Sequence, residues 1–373
     1  MEQASVRSGT MLMAYRHDPL APGSWSGTTK HLADALSGVG WHVDGGALEV
    51  GPRALAVSRA LYRRANLGSE YARNPVLRRL RARKLTRRLH TSDASVVLHI
   101  GTMHLPLRRN ARDTRRHVMF IDTTWALWAR YRSAGRPTPN WVRRQADSDE
   151  RRAYRQVDHI FTVSQNAQRN LVEEYGIAPD KVTAVGTGLG QVLPPAERPG
   201  PSATPRLLFV GKHRPFDKGL DLAVEALRLV RREYEGSTLT VVGALPTSIA
   251  PVAGVDVKSW VSTDELAQLY AGADLFVLPA RNEPWGLVYL ESLSQATPIL
   301  GVDRHAFREL SCDGAFGIIV PEPDAEQVAS HIVAALADRD ALAARGVAGQ
   351  RHVAAWADWT RVASTITETL EQM

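Results

Sequence analysis

Short apolar runs alternating with amphipathic stretches recur along almost the whole chain, and that alternation narrows the possible folds more than anything else in it. Residues 11–15 (Met-Leu-Met-Ala-Tyr) read as a strand, and residues 28–39 as a helix with Leu32, Ala35, Leu36 and Val39 on one side. Residues 96–100, 118–121 and 160–163 are further apolar runs of strand length. Strands that are apolar throughout, separated by helices, predict a parallel sheet covered on both faces. The rhythm stops at residues 191–205, which carry Pro194, Pro195, Pro199, Pro201 and Pro205. Proline at that density suits neither a central strand nor a helix interior, so this segment reads as an interdomain linker. The alternation then restarts, with strands expected at 206–210, 239–242, 274–278, 298–302 and 317–320. Helices are expected at 220–234 and 263–271, and the tail from 346 is largely helical.

The expected architecture is α/β: two doubly wound Rossmann-like domains facing each other across a cleft, the natural ligand site. The boundaries fall at 1–190 for the first domain, 191–205 for the linker and 206–350 for the second domain. Residues 351–373 form a terminal helix expected to pack back toward the first domain. A length of 373 residues with 44% hydrophobic content also exceeds what one compact core accommodates. No apolar run approaches the roughly 20 residues needed to cross a bilayer. Met1-Glu2-Gln3-Ala4-Ser5-Val6-Arg7 has no secretory apolar stretch behind it. Cys312 is the only cysteine, which leaves no disulfide framework. The expected location is cytoplasmic, either free or on the cytoplasmic face of a membrane.

A net charge of +7 raises the question of an anionic partner. Of 46 basic residues only six are lysine, an arginine bias that GC-rich coding also produces. The charge is nonetheless concentrated: residues 63–90 carry Arg63, Arg64, Arg73, Arg78, Arg79, Arg81, Arg83, Lys84, Arg87 and Arg88. That stretch is either a solvated helical face or a peripheral contact for an anionic membrane or acidic acceptor. Nucleic acid is not expected, because no aromatic residues interleave as a stacking platform.

Three strand–loop–helix junctions carry the chemistry. In the first, Leu278 ends an apolar strand and Pro279-Ala280-Arg281-Asn282-Glu283-Pro284-Trp285-Gly286 leads into a helix near Leu287, Val288 and Glu291. Ligands of open parallel sheets bind at the carboxyl ends of strands, and a helix N-terminus offers free N–H groups to a diphosphate. Gly286 lets the backbone approach closely, and Glu283 and Glu291 suit the vicinal hydroxyls of a sugar or ribose. An ordinary connection with a surface glutamate at each end explains the same residues equally well. In the second junction, Phe209-Val210-Gly211-Lys212-His213-Arg214-Pro215-Phe216-Asp217-Lys218-Gly219 places three cations after a strand. Cations there stabilise the charge that grows on a diphosphate leaving group, unless the segment is only a solvent-facing basic turn. The third, Gly23-Ser24-Trp25-Ser26-Gly27-Thr28-Thr29, offers glycines and hydroxyls before a helix and is the weakest.

Together these residues resemble the GT-B family of retaining glycosyltransferases, the family 4 or group 1 type. Glu283 and Glu291 match its E-x7-E signature, and Pro284-Trp285-Gly286-Leu287-Val288 is close to its usual Pro-Phe-Gly-Leu-Val. The segment from Phe209 to Gly219 resembles its diphosphate loop, and Ser26-Gly27 its glycine turn near the donor phosphates. The likeness extends to residues 160–164 with 180–182 and Gly188, and to residues 301–309 and 317–321. It implies a GT-B fold with acceptor bound by the N-terminal domain and nucleotide sugar by the C-terminal one. It further implies Glu283 on the transferred sugar, Glu291 on the ribose, and Lys212 or Arg214 with Lys218 on the diphosphate. Main-chain groups near 257–261 would meet the base, and transfer would proceed with retention and with no essential metal or other cofactor.

Two departures stand out. The usual arginine after the loop glycine is Lys212, so Arg214 is its candidate substitute. The histidine common after the fourth strand is replaced by Asp122, in Phe120-Ile121-Asp122-Thr123-Thr124-Trp125. Asp122 either orients donor sugar or acceptor hydroxyl, or caps the following helix. His99, His104 and Trp125 are weaker acceptor-side candidates. Asp147-Ser148-Asp149 imitates a metal-binding DxD but lies in a charged helical stretch, so solvated surface is expected. No metal site is expected. The competing readings are an epimerase or phosphorylase of the same fold, and a non-catalytic binding protein that uses the basic face.

Overall fold

The computed structural model describes residues 9–64, 73–105, 113–131, 139–198, 202, 204–250 and 252–373. The N-terminal heptapeptide and two of the linker prolines, Pro199 and Pro201, lie outside the described residues. The chain divides into two compact units. The first comprises Met1–Leu127, Arg136–Gly188 and Trp359–Met373, and the second Trp128–Gly135 and Leu189–Asp358.

Unit 1 contains β1 (Thr10–Tyr15), α1 (Thr28–Gly38), β2 (His42–Ala47), α2 (Pro52–Arg64), α3 (Pro75–Thr91), β3 (Val96–Ile100) and β4 (Arg116–Ile121). The helix α4 (Trp125–Arg130) begins in this unit and ends in the other. Then follow α5 (Asn140–Gln156), β5 (His159–Thr162), α6 (Gln165–Glu173) and β6 (Val182–Ala184). The six strands pair in parallel in the order β2-β1-β3-β4-β5-β6. Strands β3 and β5 are buried along their whole length, as the apolar runs require. Leu12, Val97, Met119 and Ile160 from the sheet pack with Leu85, Leu89, Tyr154 and Leu171 from the helices. Each such aliphatic side chain removed from water contributes about 2 kcal/mol.

Unit 2 contains β7 (Arg206–Gly211), α7 (Leu220–Val230), β8 (Thr238–Gly243), β9 (Val255–Lys258), α8 (Thr263–Gly272) and β10 (Leu275–Leu278). It continues through α9 (Leu287–Ser294), β11 (Ile299–Val302), α10 (Phe307–Leu310), β12 (Gly317–Val320), α11 (Ala325–Leu336) and α12 (Arg339–Trp356). Its parallel sheet runs β12-β11-β10-β7-β8-β9. Helices start where side-chain oxygens receive their first free N–H groups: Ser262 from Glu265 (3.1 Å), Asp324 from Gln327 (3.0 Å) and Asp338 from Ala341 (2.9 Å). The last helix, α13 (Trp359–Gln372), belongs to unit 1 and packs on α1. There Trp359 stacks on His31 and the Trp41 indole donates to Thr367 Oγ1 at 3.0 Å.

The apolar alternation does not announce β2, β6 or β9. All three are edge strands, and β2 (His-Val-Asp-Gly-Gly-Ala) and β9 (Val-Asp-Val-Lys) leave most of their side chains partly or fully exposed. An edge strand is held by one ladder and needs no apolar run.

Candidate functional site

The direction of winding reverses in unit 2 between β7 and β10, which are neighbours in the sheet although β8 and β9 come between them in sequence. The loops after these two strands are the two cation- and glutamate-bearing junctions, so the topology brings them together at the switch point of an open α/β sheet. They are joined directly: the Asn282 N–H donates to the Asp217 carbonyl at 3.1 Å. At Gly219 (φ +75°) a Cβ would stand 2.1 Å from the Pro279 carbonyl oxygen, so only glycine permits this approach.

Lys218 Nζ forms an ion pair with Glu283 Oε2 across this junction, with both side chains partly shielded from solvent. Arg214 pairs with Asp217, and its guanidinium lies 4.4 Å from the centre of the Trp128 ring. Lys212 is exposed at the carboxyl end of β7. Its charge acts on Glu291 and counters part of the rise in that group's pKa. Arg281, which sequence reasoning passed over, makes a two-pronged contact with Asp221 (2.7 and 2.8 Å) and donates to the Phe216 carbonyl (2.8 Å). It ties the two loops together from outside.

Gly286 (φ +87°) precedes α9, leaving Leu287 and Val288 half-buried at the start of the helix. Glu291 is buried one turn further in. It accepts from the Tyr270 hydroxyl at 3.3 Å, and a Cβ on Gly190 would come within 2.8 Å of its Oε1. Burial pushes its carboxyl up to about 7, opposed by the Tyr270 and Gln191 hydrogen bonds and by Lys212. Asn282, also buried, bridges the Trp128 carbonyl (3.3 Å) and His305 Nε2 (2.9 Å). Desolvation pulls the His305 pKa down to about 3, so the ring is neutral at physiological pH.

In unit 1, Trp25, Ser26 and Gly27 all take left-handed conformations just before α1, a tight turn that leaves Gly27 buried at the helix start. Trp25 is held between Tyr15 and Phe120. Asp122 follows β4 and is half-buried; burial raises its carboxyl to about 6 against its own and Thr123's backbone N–H groups. The capping role open to Asp122 belongs instead to Thr124, whose hydroxyl accepts from the Leu127 N–H at 3.2 Å and donates to Asn170 at 2.5 Å.

Sequence reasoning missed Glu150. This buried carboxylate accepts from the Trp125 N–H (2.6 Å), the Tyr154 and Tyr175 hydroxyls (2.9 and 3.1 Å) and Arg73 (3.3 Å). It therefore fixes the start of α4 just behind Asp122. In the sequence it is one more charge in a helix already full of them. The expectation for its neighbour also needs correction. Asp149 is not solvated surface: it is 7% exposed, 3.7 Å from the buried Arg78, and accepts from Gln145 at 3.0 Å.

The acceptor candidates His99, His104 and Trp125 are not surface groups either. His99 and His104 have no exposed area and Trp125 is 3% exposed. His99 bridges His104 and His117 at 2.9 Å each, and His117 meets Asp113 at 3.2 Å. A strand histidine points inward when its neighbours satisfy both ring nitrogens, and a single sequence does not display that pairing.

Two family models match. "Glycosyltransferase Family 4" covers residues 27–189 and "Glycosyl transferases group 1" covers residues 204–338. The D-inositol 3-phosphate glycosyltransferase of Thermobispora bispora is 32% identical over 249 residues, 58% of this chain and 57% of that protein. The chain thus matches little more than half the length of this relative. Among solved structures, sucrose-phosphate synthase from Thermosynechococcus elongatus superposes with a TM-score of 0.76 at 18% identity, covering 98% of this chain and 99% of that one. The Anabaena protein HepE in complex with UDP-glucose gives 0.68 at 16% identity, covering 98% and 100%. At such identities these structures establish the shared GT-B fold.

Proposed function

The chain belongs to the group 1, family 4 glycosyltransferases, and from that premise we propose that it moves a hexose-type sugar from a UDP- or GDP-sugar to a hydroxyl acceptor, with retention of configuration. The reading is carried by the Lys218–Glu283 pair where the β7 and β10 loops meet. Lys218, Lys212 and Arg214 are assigned to the diphosphate, together with the free N–H groups of Leu287 and Val288 at the start of α9. Glu283 is assigned to the hydroxyls of the transferred sugar and Glu291 to the ribose diol. HepE, solved with UDP-glucose, supports a nucleotide-sugar donor.

In the proposed reaction the bond from the anomeric carbon to the β-phosphate oxygen breaks. The acceptor oxygen bonds to that carbon on the same face, and the acceptor proton passes to the departing phosphate. The nucleoside diphosphate then leaves. Lys218 and Lys212 lower the barrier by facing the charge that collects on the phosphate. Asp122, whose carboxyl burial raises to about 6, is assigned to orient the acceptor hydroxyl. We assign the reaction no metal or other cofactor. A glycan, a lipid or a small metabolite supplies the hydroxyl, and contact of residues 63–90 with anionic lipid on the cytoplasmic face fits the lipid case.

A thermal-shift screen of UDP-, GDP-, ADP- and TDP-sugars tests the donor assignment. One nucleotide should stabilise the wild-type protein in proportion to the logarithm of its concentration. Lys218→Ala should abolish that shift. Equal stabilisation of the two proteins, or none by any nucleotide sugar, would refute the assignment.

A further inference from the structure

Residues of helices α3 and α5 in unit 1 line a groove of about 1050 Å³. Its walls carry Arg78, Arg79, Arg83 and Arg87 from α3, and Arg152 and Arg155 from α5. Asp149 is the only carboxylate among the lining residues. The exposed groove-lining arginines of α3, Arg79, Arg83 and Arg87, recur every fourth residue and so form one row along the helix. Arg78 lies beneath them, 4% exposed. Its Nε donates to the Leu105 carbonyl at 3.1 Å and approaches Asp149 at 3.7 Å, while its buried Nη1 has no hydrogen-bond partner among the described residues. Six guanidinium groups held together with one counter-charge repel one another, and an arrangement of that kind is stabilised by an anion with several acceptor oxygens.

The same two helices also carry exposed apolar side chains: Val76 (58% exposed) and Trp141 (62% exposed) stand at the starts of α3 and α5. Val57 and Leu61 are likewise exposed on α2, which packs against α3. Large exposed apolar side chains on the helices that form an arginine groove, and on the helix packed against one of them, suit a surface that inserts into the headgroup region of a bilayer.

We propose that the α3–α5 groove is a phosphate-binding site distinct from the donor loops of unit 2, and that it takes the phosphate of an anionic lipid headgroup. This rests on and deepens the membrane contact proposed for residues 63–90 by giving it a defined pocket, and by adding α5 and the exposed apolar side chains.

The test uses the triple variant Arg79→Gln/Arg83→Gln/Arg87→Gln, whose side chains are all solvent-exposed, and two probes. Co-sedimentation with phosphatidylcholine vesicles containing phosphatidylglycerol should exceed that with pure phosphatidylcholine, and the triple variant should lose roughly tenfold or more of that binding. Inorganic pyrophosphate is titrated in a Lys212→Ala/Arg214→Ala/Lys218→Ala background, which removes the three cationic side chains assigned to the donor diphosphate. Binding that survives there and disappears on adding the three glutamines places the phosphate in the groove. If pyrophosphate behaves so while vesicles do not bind, the lipid source is overturned in favour of a soluble phosphate. If neither probe binds, or the triple variant binds both as the wild type does, the site itself is refuted. Thermal shifts by nucleotide sugars are recorded in parallel, so that failure of the donor assignment is read separately.

Discussion

At the scale of single residues, the two glutamates of the E-x7-E spacing live in opposite environments. Glu283 is neutralised by Lys218, whereas Glu291 is buried against a tyrosine hydroxyl and the backbone of the linker's first residues. The linkage follows from the sign of the shift. A carboxyl raised from 4.5 to about 7 by burial favours its protonated form, so its contribution to stability is full below pH 4.5 and is lost as pH rises toward 7. Glu291→Gln should therefore stabilise the unliganded protein at pH 8, by on the order of 2 kcal/mol, while weakening nucleotide binding. Unfolding curves at pH 5 and pH 8 check the first half, and calorimetric titration with the nucleotide checks the second. A variant that is no more stable at pH 8 would mean that Glu291 is not held in a desolvated pocket. The spacing of these two residues was visible in the sequence; their contrasting environments were not. Tyr270 and Gly190, which create the Glu291 pocket, lie far from it along the chain.

At the scale of elements, the site depends on two loops that touch where the winding reverses. Gly219 is the tightest point, and Gly219→Ala places a methyl group 2.1 Å from a carbonyl oxygen at a positive φ. The expected loss is about 3 kcal/mol of stability, together with loss of nucleotide binding because Lys218 precedes this residue. A Gly219→Ala protein with wild-type melting and wild-type nucleotide affinity would contradict the close contact between loops. Interior strands and most helices were legible because a buried parallel strand must be apolar and an amphipathic helix must repeat. The edge strands β2, β6 and β9 were not, since solvent on one side relaxes that demand. The role of α5 was also hidden. Its inward face carries Asp149 and Glu150, whose partners Arg73, Arg78, Tyr175 and the Trp125 N–H come from elsewhere in unit 1, so the charges looked like ordinary surface.

At the scale of the molecule, each unit has its own sheet and core, and each buries a histidine whose neutral ring folding favours, His104 in unit 1 and His305 in unit 2. Unit 1 encloses the His104–His99–His117 chain without exposed area beyond 1%. His104 is depressed from 6.5 to about 3 by burial and by nearby Arg78 and Arg81. Folding therefore favours the neutral ring, and its contribution is full above pH 6.5 and lost as pH falls toward 3. Amide exchange should show the β3 and β4 amides losing protection between pH 6 and pH 4. His104→Gln should flatten that dependence. Unchanged protection of these strands across the interval would rule out a His104 ring held neutral by burial.

In the proposed reaction the donor's leaving group is stabilised at the junction between the β7 and β10 loops. The direct measurement is the rate of nucleoside diphosphate release from the cognate sugar donor, in the presence of acceptor, for wild type and Lys218→Ala. We expect the variant to melt within a few degrees of the wild type and to turn over about 10²–10³-fold more slowly, the scale of losing one charged contact to a developing anion. A Lys218→Ala protein that is folded and releases nucleoside diphosphate at the wild-type rate would contradict it.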